Sequence, residues 1–168
     1  MAVYQLPENC GDNTFLIDQE GNHITYSNFK QSQDDFQRNI DTKVVVLALS
    51  ENTVGAVMGI ISFLMNGQVP LLMESNLSEE FSRNLIEMYE IEYLFVSKAK
   101  RNIYSDFQEV SSIENHVLLK TGIKSEHLPD KNLAILLNTS GSTGSPKLVR
   151  LSYDNIISNG QSIIEYLK

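Results

Sequence analysis

Apolar and polar positions follow one another in blocks whose spacing predicts the elements. Thr14–Asp18 and His23–Tyr26 flank the turn-forming tetrad Gln19-Glu20-Gly21-Asn22, which together read as a β-hairpin after a loop-like start over residues 1–13. Ser27 is the expected N-cap of a helix whose apolar residues, Phe29, Phe36 and Ile40, form a thin stripe suited to the surface. Val44–Leu49 is a continuous apolar run, as in a strand buried on both faces. Asn52 is the expected cap of the next helix, where Val54, Val57, Met58, Ile61, Leu64 and Met65 keep helical spacing. Ala56, Ile60 and Phe63 make its other side apolar too, so it is expected to be buried nearly all round. Gly55 and Gly59 permit close approach of a neighbour, and Gly67 is a C-terminal stop.

A strand over Val69–Met73 follows, then a helix capped by Ser78, with Phe81, Leu85, Met88 and Tyr89 as its inner stripe, then a strand over Glu92–Val96. Strands alternating with helices through short connections predict an α/β fold, a mostly parallel sheet with flanking helices. Residues 97–131 carry no clear period. His116 and His127 lie there without ligand-like spacing and are expected at the surface, and His23 is likewise isolated. Leu133–Leu137 and 148–151 read as strands around a polar segment. Ser152 caps a last helix with Ile156, Ile157, Ile163, Ile164 and Leu167 as its buried stripe, running to Lys168 without a stop signal, as though the chain were cut there.

Composition narrows the function classes. The 168 residues suffice for a single domain over 1–168, burying about 70% of the unfolded surface. A net charge of −8 argues against nucleic acid or an anionic membrane as the main partner. The single cysteine, Cys10, excludes an internal disulfide and a multi-cysteine metal site, and no metal-ligating set of residues stands out. There is no signal-peptide pattern, and the longest apolar stretch, Val54–Met65, is too short to span a bilayer; a cytoplasmic protein is expected.

The polar segment, Asn138–Lys147, reads NTSGSTGSPK. Hydroxyls, glycines, a proline and a lysine in that order suit a phosphate-binding loop. Glycines allow tight approach, backbone N–H groups form an anion nest, hydroxyls donate further bonds, and a lysine brings mobile positive charge. The same composition also occurs in ordinary loops. The G-x-x-x-x-G-K-[ST] spacing of P-loop kinases and ATPases is absent, as is the dinucleotide-binding G-x-G-x-x-G.

Leu136–Lys147, LLNTSGSTGSPK, resembles the Ser/Thr/Gly-rich signature of the adenylate-forming, AMP-binding enzymes, which include acyl-CoA synthetases, nonribosomal peptide synthetase adenylation domains and luciferases. GNHITYSNF and VVVLALSENTVGAVMGIISFLMNGQVPLLM resemble earlier segments of the same enzymes, so the chain is similar to the N-terminal portion of their large domain, weakly over 97–131. The resemblance implies activation of a small-molecule carboxylate with Mg2+-bound ATP to an acyl-adenylate. Transfer to a thiol, of CoA or of phosphopantetheine on an acyl or peptidyl carrier protein, follows. It assigns nucleotide binding to Thr139, Ser140, Gly141, Ser142, Thr143, Gly144 and Lys147, with Lys147 neutralising phosphate charge in catalysis. The aromatic-Gly-x-Thr-Glu motif, the ribose-binding aspartate segment and the distal catalytic lysine of those enzymes have no counterpart in the 168 residues. The chain alone is therefore expected to be inactive, and the alternative is a non-catalytic nucleotide-binding or scaffold module. Two positions depart from the pattern: Leu148 where glycine is usual, and Tyr153 where many members have histidine.

Overall fold

The structure, a computed structural model, describes residues 6, 10–38, 40, 42–139 and 147–167. The expected hairpin is present: β1 (Thr14–Ile17) pairs antiparallel with β2 (His23–Thr25). The Asp18 carboxylate accepts from the Glu20 and Asn22 backbone N–H groups and from Asn22 Nδ2, fixing the turn that Gly21 closes at φ +84. Helix α1 (Tyr26–Gln37) is capped by Thr25 rather than Ser27. Thr25 Oγ1 accepts from the Asn28 N–H while Asn28 Oδ1 accepts from the Thr25 N–H, so the reciprocal pair sets the start two residues earlier. Its stripe is real, with Phe29 and Phe36 fully buried and Ile40 buried just beyond the helix end.

The main sheet has seven strands in the order β6-β7-β5-β3-β4-β8-β9. Its centre is parallel: β3 (Val45–Ser50) lies between β4 (Val69–Glu74) and β5 (Tyr93–Ser97), and β8 (Leu133–Thr139) adds to β4. The flanks are antiparallel: β7 (His116–Lys120) and β6 (Gln108–Ile113) beyond β5, and β9 (Lys147–Ser152) beyond β8. This is a mixed, mostly parallel α/β sheet with helices on both faces. Alternation along β3 distributes its residues between two cores. Leu47 and Leu49 pack with Leu85 and Ile86 of α3 (Glu79–Met88), whereas Val46 and Ala48 pack with Phe36 of α1 and with Met58 and Phe63 of α2 (Val54–Met65).

Helix α2 begins on Thr53, whose Oγ1 accepts from the Ala56 N–H, so Thr53 and not Asn52 is the cap. It ends at Gly67 (φ +82), with the Gln68 N–H reaching the Phe63 carbonyl. Its glycine side is the one against the sheet. A Cβ on Gly59 would stand 2.2 Å from Phe95 Cζ. The opposite side is only half-covered, with Val57 37% exposed, so the all-round burial expected of this helix does not hold. Gly55, Ala56, Gly59 and Ser62 bring the backbone close to its neighbours, Met58 and Phe63 fill the core beside them, and Val57 is left outward.

Two further stripes are corrected. In α3, capped by Ser78 as expected, Ser82, Leu85 and Ile86 face inward, Phe81 is half-buried, and Met88 and Tyr89 are exposed at the end where the chain turns through Glu90 at φ 49. In α4 (Tyr153–Tyr166), Ser152 caps through a box with Asn155, but only Tyr153 is buried. Ile156 and Ile157 are half-covered, and Ile163, Ile164 and Leu167 are exposed, because no other described element lies over the later turns.

Residues 97–131 contain a 3-10 helix (Lys98–Tyr104) and the β6–β7 hairpin, which sequence periodicity did not reveal. Arg83 fastens this part to α3: it pairs with Glu79 and Asp106 and lies 5.0 Å over the Phe107 ring. His116, expected at the surface, is fully buried. It is the first residue of β7, opposite Ser97, with its ring 4.9 Å from that of Phe95 and Nδ1 2.9 Å from Asn115 Oδ1. Burial holds its pKa below the ordinary histidine value, against the weaker opposing pull of Glu51. His127 is exposed, as expected.

Two outcomes follow. Gly59→Val should lower stability by about 3 kcal/mol through overpacking against Phe95, seen as a lower urea midpoint, whereas Gly160→Ala, with open space around the added carbon, should not. Because His116 is neutral when folded and takes up a proton more readily when unfolded, stability should be intact above the unfolded-state pKa and fall with pH below about 6.5, by up to about 1.4 kcal/mol per pH unit. Urea titrations across pH should show that loss in the native chain and not in His116→Leu.

Candidate functional site

In open α/β sheets, ligands gather where parallel strands present their carboxyl ends. Ser50, Glu74, Ser97 and Thr139 close β3, β4, β5 and β8 on that edge. The described ends of the polar segment, Asn138–Thr139 and Lys147, lie on that edge. Thr139 pairs with Lys147 and Asn138 with Leu148, so the two ends of the segment stand side by side across one antiparallel step.

The hairpin is held by ordinary packing. Ala134 and Ile135 of β8 are buried, and Leu136 and Leu148, on the same face of their strands, pack against the core on the α3 side. Leu148, where glycine would be usual, therefore serves as the apolar anchor of an edge strand and continues the pairing without a break. Lys147 is exposed at the mouth of the hairpin. Of the assigned residues, the structure brings together Thr139 and Lys147; Ser140, Gly141, Ser142, Thr143 and Gly144, together with Pro146, lie outside the described residues. Among the described residues no group of three or more His, Cys, Asp or Glu side chains is positioned to hold a metal ion.

Two lysines that sequence reasoning passed over position this edge and its opposite. Lys100 Nζ, in the 3-10 helix, donates to the Ser75 carbonyl and so ties down the turn that leaves β4 beside β8. At the other end of the sheet, Lys43 Nζ donates to the carbonyls of Lys131 (2.9 Å) and Leu133 (2.8 Å), fixing the start of β8. Its burial lowers its pKa, partly countered by Asp130. Nothing in the sequence signals either role, since both bonds go to backbone atoms of distant segments.

Tyr153 belongs to that other end. Its ring is buried beneath the Lys43 ammonium at 5.3 Å, and its hydroxyl donates to the Leu64 carbonyl at 3.4 Å. The length of β9 separates it from Lys147, roughly 17 Å of strand. Tyr153 thus fastens α4 to α2 and takes no part in the hairpin mouth.

A family model described as AMP-binding enzyme matches residues 4–167. Solved structures share the fold. ATP-bound MatB from Rhodopseudomonas palustris superposes with a TM-score of 0.70 at 18% identity, over 98% of this chain and 36% of that one. The o-succinylbenzoate CoA synthetase MenE from Bacillus subtilis, in complex with the acyl-adenylate intermediate OSB-AMP, gives 0.66 at 16% identity, over 94% and 44%. The luciferase-like enzyme of the nonluminescent mealworm Zophobas morio gives 0.58 at 18% identity, over 86% and 40%. The chain thus spans well under half the length of each. A search of curated proteins finds no match. No helix among the described residues is long and apolar enough to cross a membrane.

The packing role of Leu148 is testable. Leu148→Gly should destabilise the chain by about 2 kcal/mol, from lost apolar burial and added backbone freedom in a strand. Faster amide exchange should accompany it in β9 and at the end of β8, with β3 and β5 unchanged.

Proposed function

Because the chain belongs to the AMP-binding enzyme family, we propose that residues 1–168 make up the N-terminal portion of the large domain of a ligase that activates a carboxylic acid with ATP. The observation that carries this reading is the backbone pairing of Thr139 with Lys147, which brings the two ends of the segment together at the carboxyl edge of the sheet, with Lys147 exposed. The ATP and acyl-adenylate held by the structural relatives support it by analogy.

In this reading a carboxylate oxygen of the substrate attacks the α-phosphorus of ATP, the bond to the bridging oxygen breaks, and pyrophosphate leaves with the charge. The chain lowers that barrier by tracking the departing charge with preorganised donors. Hydroxyls of Thr139, Ser140, Ser142 and Thr143 donate to phosphate oxygens. Gly141 and Gly144 let the backbone wrap closely, and Pro146 stiffens the exit. Lys147 places a compact positive charge against the β- and γ-phosphates. Magnesium, carried on the phosphate oxygens, supplies further positive charge. None of these residues is the nucleophile. The sulfur of a thiol, of CoA or of carrier-protein phosphopantetheine, then attacks the acyl carbon and loses its proton, and the bond to the phosphate oxygen breaks to release AMP. The alternative is a nucleotide-binding or scaffold module that performs no chemistry.

Calorimetric titration of the chain with Mg·ATP should show binding that Lys147→Ala weakens at least about tenfold, the loss expected for one charge-assisted contact. The variant's urea midpoint should not move, since Lys147 is exposed. Equal affinity in both would remove Lys147 from the site, and no binding by either would remove the nucleotide from this chain. Carboxylate-dependent pyrophosphate–ATP exchange should be undetectable with the 168 residues alone; robust exchange would overturn their assignment as an incomplete site.

A further inference from the structure

The later turns of α4 hold large apolar side chains in water: Ile163, Ile164 and Leu167 are 50%, 58% and 75% exposed. The stripe they belong to is arranged symmetrically about Gly160. Ile157 and Ile163 stand three residues to either side of it, and Ile156 and Ile164 stand four. A Cβ added to Gly160 would meet no atom within 4 Å, so the centre of the stripe is open. The two charged residues of α4, Asp154 and Glu165, point elsewhere, lying about 120–140° round the helix from Gly160 at 3.6 residues per turn.

A twofold contact joins one surface to itself, so it needs a patch that still matches after a half-turn rotation. In an antiparallel helix pair crossing at Gly160, a side chain a given distance after that residue meets one the same distance before it. Ile163 and Ile164 then meet the partner's Ile157 and the partner's Ile156, positions that are half-covered in one copy. Glycine meets glycine, and no charge meets a like charge along the stripe. Leu167, seven residues out, arrives beside the partner's Tyr153. Tyr153 and Ile157 line a cleft of about 860 Å³ whose wall includes Ile40 and Met65, which offers a leucine both room and apolar surface.

We propose that α4 is the contact surface for a second copy of this chain, the two helices packing antiparallel about a twofold axis at Gly160. Stable dimers bury roughly 800 Å² on each partner. A helix of 14 residues is only about 21 Å long and covers less than that. Even with the cleft wall added, the dimer is a weak one, half-dissociated at about 10–100 µM. The contact uses no residue of the hairpin mouth, so it stands or falls apart from the nucleotide reading.

The test is sedimentation of the 168-residue chain from about 1 to 500 µM, a range that brackets the expected midpoint. A monomer–dimer equilibrium should appear, and Ile164→Lys, an exposed change that poses no threat to folding, should weaken it at least about tenfold because the substitution acts on both copies. Cross-linking then reads the axis. Helices 8–10 Å apart place facing Cα atoms about 3–5 Å from each other, within disulfide reach. In a Cys10→Ser background, Gly160→Cys, which fills open space, should oxidise to a covalent dimer, and Glu165→Cys, on the other side of the helix, should not. A monomer at 500 µM, an open series of larger species, an unchanged equilibrium in Ile164→Lys, or equal cross-linking from positions 160 and 165 would each overturn the proposal.

Discussion

Complete burial of β3 on both faces is the constraint on which the rest of the structure depends. Val46, Leu47 and Ala48 are wholly shielded from solvent and Leu49 nearly so, which requires a strand on each edge and a helical layer on each face. Parallel β4 and β5 supply the edges, and α2 and α3, on opposite sides, supply the layers. The glycine face of α2 meets the second requirement at unusually short range, with Phe95 filling the space above Gly59. Once β4 is fixed by β3, β8 has a parallel neighbour to add to, and the β8–β9 hairpin follows as an extension of the same sheet.

Much of this was legible from spacing alone. The Val44–Leu49 run, the α2 boundaries at Val54 and Met65, the Gly67 stop and the Ser78 and Ser152 caps are local signals, and local signals survive into the structure. Misplacements arose where two nearby residues competed for one task. Thr25 outcompetes Ser27 because Asn28 completes a reciprocal pair with it, and Thr53 outcompetes Asn52 because its hydroxyl reaches the Ala56 N–H. His116 was unreadable because its burial is created by Phe95 and Gly55, residues on other elements. The α4 stripe shows the converse: periodicity reports which face can be buried, and only the surrounding fold determines whether anything covers it.

The candidate site divides in the same way. NTSGSTGSPK stands out in the sequence because it combines residue types that a packed core does not require, and the structure adds that Thr139 and Lys147, at its two ends, pair across the β8–β9 ladder. Its supports were not legible. Lys100 and Lys43 act through backbone carbonyls far away in the chain, and Leu148 acts by filling space in the core rather than by following the usual glycine pattern.

The bond from Lys43 to the Leu133 carbonyl joins positions 90 residues apart. On a ribosome adding 5–20 residues per second, on the order of 5–20 s separates the emergence of its two ends. Until β8 emerges, the edge of β4 away from β3 has no strand to pair with and the Lys43 ammonium remains in water. The nascent protein therefore carries an unpaired strand edge until β8 arrives, and it is during those seconds, rather than in the finished fold, that shielding by a chaperone matters most.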